Sequence, residues 1–118
     1  MLRDRDLELV LARFAKARVG VVGDYCLDVY WVVDMGASEI SLETGKATQP
    51  VREQRYSLGG AGNVVANLGA MGVGRLSAFG VVGSDPFGER MVSLLRTIGV
   101  DCGGMVVADI PESWQTLA

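Results

Sequence analysis

Two adjacent glycines that lead directly into a helix constrain this chain more than any other feature. Gly59 and Gly60 lie in the stretch Ser57–Gly72, which reads SLGGAGNVVANLGAMG. A glycine pair permits backbone angles and close contacts that a Cβ atom would forbid. The N-terminus of the following helix adds amide N–H groups that point outward. The stretch therefore predicts a site for a small molecule that is rich in hydroxyls or carries negative charge.

The predicted helix has two chemically different faces. Asn63 and Asn67 lie one turn apart on the polar face. The apolar residues follow helical spacing, which indicates a buried face. They are Val64, Val65, Leu68 and Met71.

Helices and strands alternate along the chain. Asp85 is expected to cap a helix whose first residue is Pro86 and which stops at Gly99. Short apolar runs such as 19–23 are typical of strands covered on both faces of a parallel sheet. The segment 28–56, rich in aromatic and β-branched residues near its start, is predicted to form a separate small sheet. We expect helices over 6–17, 62–71 and 86–98, and strands over 19–23, 28–35, 49–56, 76–82 and 105–108.

Composition excludes several classes of function. The chain of 118 residues is expected to form one domain, and its formal net charge of −3 does not favour binding to nucleic acid or to an acidic membrane. It has no histidine and two distant cysteines, so we expect no metal site and a reducing, cytoplasmic environment. Cys26 is interpreted as a small buried apolar residue. No apolar run approaches the roughly 20 residues of a membrane span.

Three motifs in this order resemble those of the PfkB, or ribokinase-type, carbohydrate kinases. They are VGVVGDYCLD over 19–28, the Gly-Gly-to-Asn stretch over 57–72, and FGVVGSDPFG over 79–88. Tyr30-Trp31 and the segment 38–43 are more similar to the heptose-phosphate kinase branch than to ribokinase. The resemblance implies an α/β fold, a ribokinase-like parallel sheet with flanking helices plus a small β lid over about 28–56.

The same resemblance implies that residues 1–118 are the N-terminal part, about a third, of one kinase domain. Members of the family carry a Gly-Ala-Gly-Asp turn with the general base and anion hole, and the sequence given contains no such turn. By this resemblance the complete enzyme transfers a phosphoryl group from ATP, with Mg²⁺, to a sugar or sugar phosphate. This chain alone is expected to be inactive and to bind neither ATP nor Mg²⁺. A homodimer through the lid is a further implication.

Five residues are predicted to bind the sugar. Asp24 follows an apolar strand, at the edge where open α/β sheets bind ligands, and its carboxylate accepts hydrogen bonds from hydroxyls; a turn or helix-cap role is the alternative. Asp28 is either a second acceptor or simply the start of the lid strand. Gly59 and Gly60 offer backbone contact or merely a tight turn. Asn63 carries both a donor and an acceptor, which suits a sugar hydroxyl.

Other residues have weaker assignments. Tyr30 and Trp31 either shield the sugar or pack within the lid. Lys46, Arg52 and Arg55 either contact a sugar phosphate or are solvated charges, and the solvated role is favoured.

Two other functions are compatible with the sequence. One is a dinucleotide-binding domain, although Val65 stands where that fingerprint requires Gly or Ala. The other is a sugar-binding fragment without catalytic activity.

Overall fold

A three-stranded parallel sheet and a two-stranded lid organise the chain. The structure is a computed structural model and describes residues 1, 3–37 and 39–109. The elements in chain order are α1 (Asp4–Phe14), β1 (Arg18–Val22), β2 (Tyr25–Val33), a 3₁₀ turn (Met35–Ala37), β3 (Glu39–Ile40), β4 (Ala47–Thr48), β5 (Val51–Gly60), α2 (Ala61–Ala70), β6 (Arg75–Gly83), α3 (Pro86–Thr97) and β7 (Asp101–Ala108).

The main sheet has the strand order β1-β6-β7, and both pairings are parallel. Val21 pairs with Ala78, and Val81 pairs with Val106. The chain passes from β1 through the lid and α2 to β6, and then through α3 to β7. The prediction of an α/β fold with a parallel sheet, flanking helices and a small β lid is confirmed.

The core lies between this sheet and the helices α2 and α3. Val65 of α2 and Met91 and Leu95 of α3 are completely buried, against Ala78 and Val82 of β6. Full burial of a side chain such as Leu or Met stabilises the fold by roughly 1.5–3 kcal/mol. These residues therefore hold α2 and α3 on the same face of the sheet.

Local signals in the sequence define α3. Pro86 is its first residue, and the Asp85 carboxylate accepts a hydrogen bond of 2.7 Å from the Gly88 amide. Gly99 follows the helix with φ +82°, a conformation that favours glycine. The predicted cap and stop are confirmed.

The opposite face of the sheet is open within the described residues. Val22 is 80% exposed, and Val81 and Val106 are exposed beside it. The Phe79 ring lies between Gly20 and Gly104, where a Cβ atom would collide with it. The expectation that the strand over 19–23 is covered on both faces is wrong for this structure, because α2 and α3 both pack on the other face.

The predicted apolar face of α2 is only partly buried. In α2, Val65 and Leu68 face the core, whereas Val64 and Met71 are half exposed. The buried stripe of α2 is narrow because only one side of the helix meets the sheet.

In α1, no residue is buried within the described part of the helix. No described helix is long and apolar enough to cross a membrane.

The lid is the antiparallel pair β2–β5. Tyr30 pairs with Arg55 and Trp31 with Gln54, as predicted for a strand that returns beside Tyr30-Trp31. The pairing already begins at Tyr25 opposite Gly60, outside the expected range 28–56. The reason is that the base of the lid belongs to the core, where Tyr25 and Leu27 are buried.

Candidate functional site

The turn after β1 is in direct backbone contact with the start of α2. The Asp24 carbonyl oxygen accepts a hydrogen bond of 2.8 Å from the Ala61 amide. Gly60, the last residue of β5, has φ +55°, and a Cβ atom there would collide with the same carbonyl oxygen. Only glycine satisfies both constraints without strain. The carboxyl end of β1, the end of β5 and the N-terminus of α2 therefore meet at one junction.

Asp28 lies against the other glycine of the pair. A Cβ atom at Gly59 would come within 2.9 and 3.0 Å of the two carboxylate oxygens of Asp28. Cys26 pairs with Gly59 and Asp28 with Ser57, so these residues share one face of the lid. The absence of a side chain at Gly59 leaves the room in which the Asp28 carboxylate lies.

Asn63 occupies the first turn of α2, two residues after Ala61. Its side chain is exposed, as is that of Asn67 one turn later. Gly60 is the N-cap, and no side chain accepts a hydrogen bond as a cap at this end of α2 in the described structure. The structure thus brings Asp24 to Gly60 and Asp28 to Gly59, while no hydrogen bond joins Asn63 to either aspartate among the described residues.

Tyr25 holds the junction in place, and the sequence analysis missed it. Its hydroxyl donates a hydrogen bond of 2.8 Å to the Val21 carbonyl, and the residue is 2% exposed. Its ring fills the space beside Gly80, where a Cβ atom would lie 2.7 Å from it. Burial raises the pKa of Tyr25. The available signal was an aromatic residue directly after Gly23-Asp24, at the start of an alternating apolar pattern.

Ser57 was also missed. It is exposed and lies directly opposite Asp28 in the lid. Strand alternation backward from Gly59 would have placed Ser57 on the same face. Its hydroxyl is a second polar group beside the Asp28 carboxylate.

Cys26 is half buried, so it is less buried than predicted, and its sulfur lies 3.4 Å from the place that a Cβ atom at Gly60 would occupy. Burial raises the pKa of its thiol, and the negative charges of Asp24 and Asp28 raise it further. Because the thiolate is the reactive form, the curve of Cys26 alkylation rate against pH should be displaced upward from that of a free cysteine.

We expect Asp28→Asn to move the Cys26 curve back toward lower pH, because one neighbouring negative charge is removed. The measurement is the rate of iodoacetamide alkylation against pH in a Cys102→Ala background. Below the pKa, each unit of displacement changes the thiolate fraction about tenfold. The control is Cys102 in a Cys26→Ala background, whose curve should not respond to Asp28→Asn. An unchanged Cys26 curve would show that the Asp28 carboxylate does not lie near the thiol.

Most of the weaker candidates lie on the exposed part of the lid, whereas Lys46 lies between β3 and β4. Tyr30 and Trp31 are 56% and 64% exposed and, as neighbours in a strand, point to opposite faces. Arg55 is paired with Glu53 at 2.8 Å, and its hydrogen bond lowers the pKa of the Glu53 carboxyl. Lys46 and Arg52 are exposed, in agreement with the solvated role.

Comparison with known proteins decides the family. The profile of the pfkB family carbohydrate kinases matches residues 18–117, which is most of the chain. The chain belongs to the PfkB family of carbohydrate kinases. The resemblance drawn from the three motifs is thereby confirmed.

Among curated relatives of this PfkB chain are several bifunctional proteins HldE. The one from Shewanella amazonensis is 36% identical over 105 residues, which are 89% of this chain and 21% of the relative. The one from Methylococcus capsulatus is 40% identical over 92 residues, 78% of this chain and 19% of the relative. The chain therefore spans about a fifth of the length of these relatives.

Solved structures of sugar kinases share the fold. An uncharacterized sugar kinase from Pyrococcus horikoshii, determined in complex with ATP, is 28% identical and has a TM-score of 0.52. The match covers 82% of this chain and 28% of that chain. A fructokinase from Xylella fastidiosa has a TM-score of 0.56 at 20% identity, over 84% of this chain and 26% of that chain, and supports the fold alone.

Proposed function

We propose that this PfkB chain forms the acceptor-sugar side of an ATP-dependent carbohydrate kinase. The observation that carries the proposal is the junction at which Asp24, Asp28, Gly59 and Gly60 meet beside the N-terminus of α2. Such a junction, at the carboxyl end of a strand in an open α/β sheet, is where this class of fold binds ligands.

The chemistry of the junction suits a sugar. The carboxylates of Asp24 and Asp28 accept hydrogen bonds from hydroxyl groups, and the first-turn amides of α2 donate them. Asn63 does both through its amide group. A site built to bond hydroxyls discriminates strongly against molecules that lack them, because its polar groups would be left unpaired.

In the proposed reaction these residues bind the acceptor and hold it still. Phosphoryl transfer depends mostly on positioning and on stabilisation of charge. ATP is the phosphoryl donor, and Mg²⁺ offsets its charge. The residues of this chain offer no counterpart of the Gly-Ala-Gly-Asp turn, so we assign the general base, the anion hole and the nucleotide to the remainder of a complete kinase domain. Residues 1–118 would then be the N-terminal part of that single domain.

The HldE relatives and the resemblance to the heptose-phosphate kinase branch favour a heptose or its phosphate as the acceptor. The exposed Lys46 and Arg52 remain candidates for contact with the phosphate. The exposed aromatic residues Tyr30 and Trp31 support association of two copies through the lid.

The test uses this chain alone and a chimera in which residues 18–117 replace the matching segment of Methylococcus capsulatus HldE. ADP release is measured with ATP, Mg²⁺ and a panel of hexoses, heptoses and their phosphates. We expect background release from the chain alone and sugar-dependent release from the chimera, lost on Asp24→Ala. Unmodified HldE is the positive control.

Two outcomes would contradict the proposal. One is a chimera that unfolds in a single cooperative transition and binds ATP, yet neither binds nor phosphorylates any sugar of the panel. The other is Asp24-dependent turnover by the chain alone. Sugar binding by a chimera without turnover would favour a non-catalytic sugar-binding fragment.

A further inference from the structure

Arg90 of α3 contacts the lid from outside the proposed sugar site. Its guanidinium carbon lies 5.0 Å from the centroid of the Tyr56 ring. A cation within about 6 Å of an aromatic face is attracted by the negative charge density of the ring. Tyr56 belongs to β5, and Arg90 is exposed on the first half of α3. The contact therefore joins the lid to the body of the protein.

The lid needs such a contact because it is only two strands wide. A two-stranded ribbon is marginally stable in water unless another element supports it. Leu27 and Leu58 pack at its base in the core, but β5 from Val51 to Arg55 is exposed. Tyr56 lies at the boundary between the two parts and is half buried. Arg90 thus contacts the lid at Tyr56, the residue of β5 that adjoins its exposed part.

Tyr56 is connected both to the tip of the lid and to the proposed site. Its hydroxyl donates a hydrogen bond of 2.6 Å to the side-chain oxygen of Gln54, which lies opposite Trp31. In the other direction, Tyr56 pairs with Val29, the neighbour of Asp28. If the lid strands tilted relative to the body at Tyr56, both Trp31 and the Asp28 carboxylate would therefore move.

We infer that Arg90 is a positioning residue that fixes the orientation of the lid by holding the Tyr56 ring. The part of this inference that concerns the sugar rests on the proposed function. The contact itself is a property of the folded chain. Arg90 and Tyr56 belong to different elements, and neither was a candidate in the sequence analysis.

The experiment measures hydrogen exchange of backbone amides in this 118-residue chain. Arg90→Ala should speed exchange in the exposed part of the lid, residues 30–33 of β2 and 51–55 of β5, about two- to fivefold. This is the range expected for an exposed cation–aromatic contact. Exchange in α2 and β6 should stay unchanged. Arg90→Lys, which keeps the cation without the planar group, should have a smaller effect. Arg96→Ala, on the same helix but away from the lid, is the matched control.

Two variants of Tyr56 separate the contribution of the ring from that of its hydroxyl. Tyr56→Leu should speed exchange in the same part of the lid at least as much as Arg90→Ala, because it removes the aromatic face and part of the packing of Tyr56 on the core. Tyr56→Phe should retain most of the protection. Equal acceleration in all elements on Arg90→Ala, or none in the lid, would overturn the inference.

In the chimera, Arg90→Ala should raise the KM for sugar severalfold and leave the KM for ATP unchanged. Selective lid exchange in this chain without any sugar use by the chimera would contradict the proposed function and leave the lid contact standing.

Discussion

Gly60→Ala should lower the free energy of unfolding of the chain by roughly 2–4 kcal/mol, the largest loss expected from any single methyl group at the junction. Two costs add. The backbone at Gly60 has φ +55° and ψ −131°, a combination that residues with a side chain rarely adopt. The new methyl group would also collide with the Asp24 carbonyl oxygen, which is already bonded to the Ala61 amide. Chemical denaturation followed by circular dichroism measures the loss.

Gly72→Ala is the matched control for Gly60→Ala. Gly72 also has a positive φ, +89°, but a Cβ atom there would meet no heavy atom within 4 Å. It should therefore show only the backbone cost, roughly 1–2 kcal/mol. A larger loss at Gly60 than at Gly72 reports the contact with the Asp24 carbonyl oxygen together with the less favourable ψ of −131° at Gly60. Equal losses would mean that the Asp24 turn moves aside without cost and does not clamp α2.

Much of the fold could be predicted because several signals in the sequence are local. The Asp85–Pro86 start and the Gly99 end of α3 depend on residues adjacent to the helix, and they are confirmed. The apolar runs that became β1 and β6 predicted a parallel sheet without knowledge of their partners. The three motifs identified the family because they combine these local signals in a fixed order.

The parts that could not be predicted depend on contacts between distant segments. Val64 and Met71 fit the helical spacing of a buried face, but only the packing of α2 on the sheet decides which side is covered. Tyr25 was missed because its partners, Val21 and Gly80, are unremarkable in the sequence. The contact of Arg90 with Tyr56 joins residues 34 positions apart in the chain. Periodicity gives the faces of an element but not its neighbours.

The candidate site also has a part that local sequence predicts and a part that depends on contacts between distant segments. The sequence analysis expected the glycine pair to permit unusual backbone angles and close contacts, and the structure shows a positive φ at Gly60 and a close contact at each glycine with a different aspartate. Gly60 makes room for the backbone of Asp24, and Gly59 makes room for the carboxylate of Asp28. The roles of these residues in sugar binding stay predictions, and a variant that preserves the shape of the junction is the sharpest way to test them.

Asp28→Asn in the HldE chimera should lower kcat/KM for the sugar about 10- to 100-fold, since hydrogen bonds to charged groups contribute about 1.5–3 kcal/mol. Asparagine has nearly the same shape as aspartate, so it still fits the space that Gly59 leaves. It replaces one acceptor oxygen by a donor and removes the negative charge, so a sugar hydroxyl that donates to the replaced oxygen would lose its charged acceptor. The KM for ATP at saturating sugar should change by less than about twofold, because a group that contacts only the sugar alters only the binding of the sugar. Steady-state ADP release over both substrate concentrations measures the two effects.

Asp34→Asn is the control for the loss of one negative charge from the lid. Asp34 follows β2, and its carboxylate accepts a hydrogen bond of 3.0 Å from the Gly36 amide, at the end of the strand away from the junction. This variant should retain the sugar kinetics of the chimera. A comparable loss in both variants would indicate that the overall charge of the lid matters rather than a contact with the sugar. An equal loss toward sugar and ATP on Asp28→Asn alone would indicate that Asp28 supports the fold of the junction. Only a loss confined to the sugar and to Asp28 is the result expected of a carboxylate that binds the acceptor hydroxyls directly.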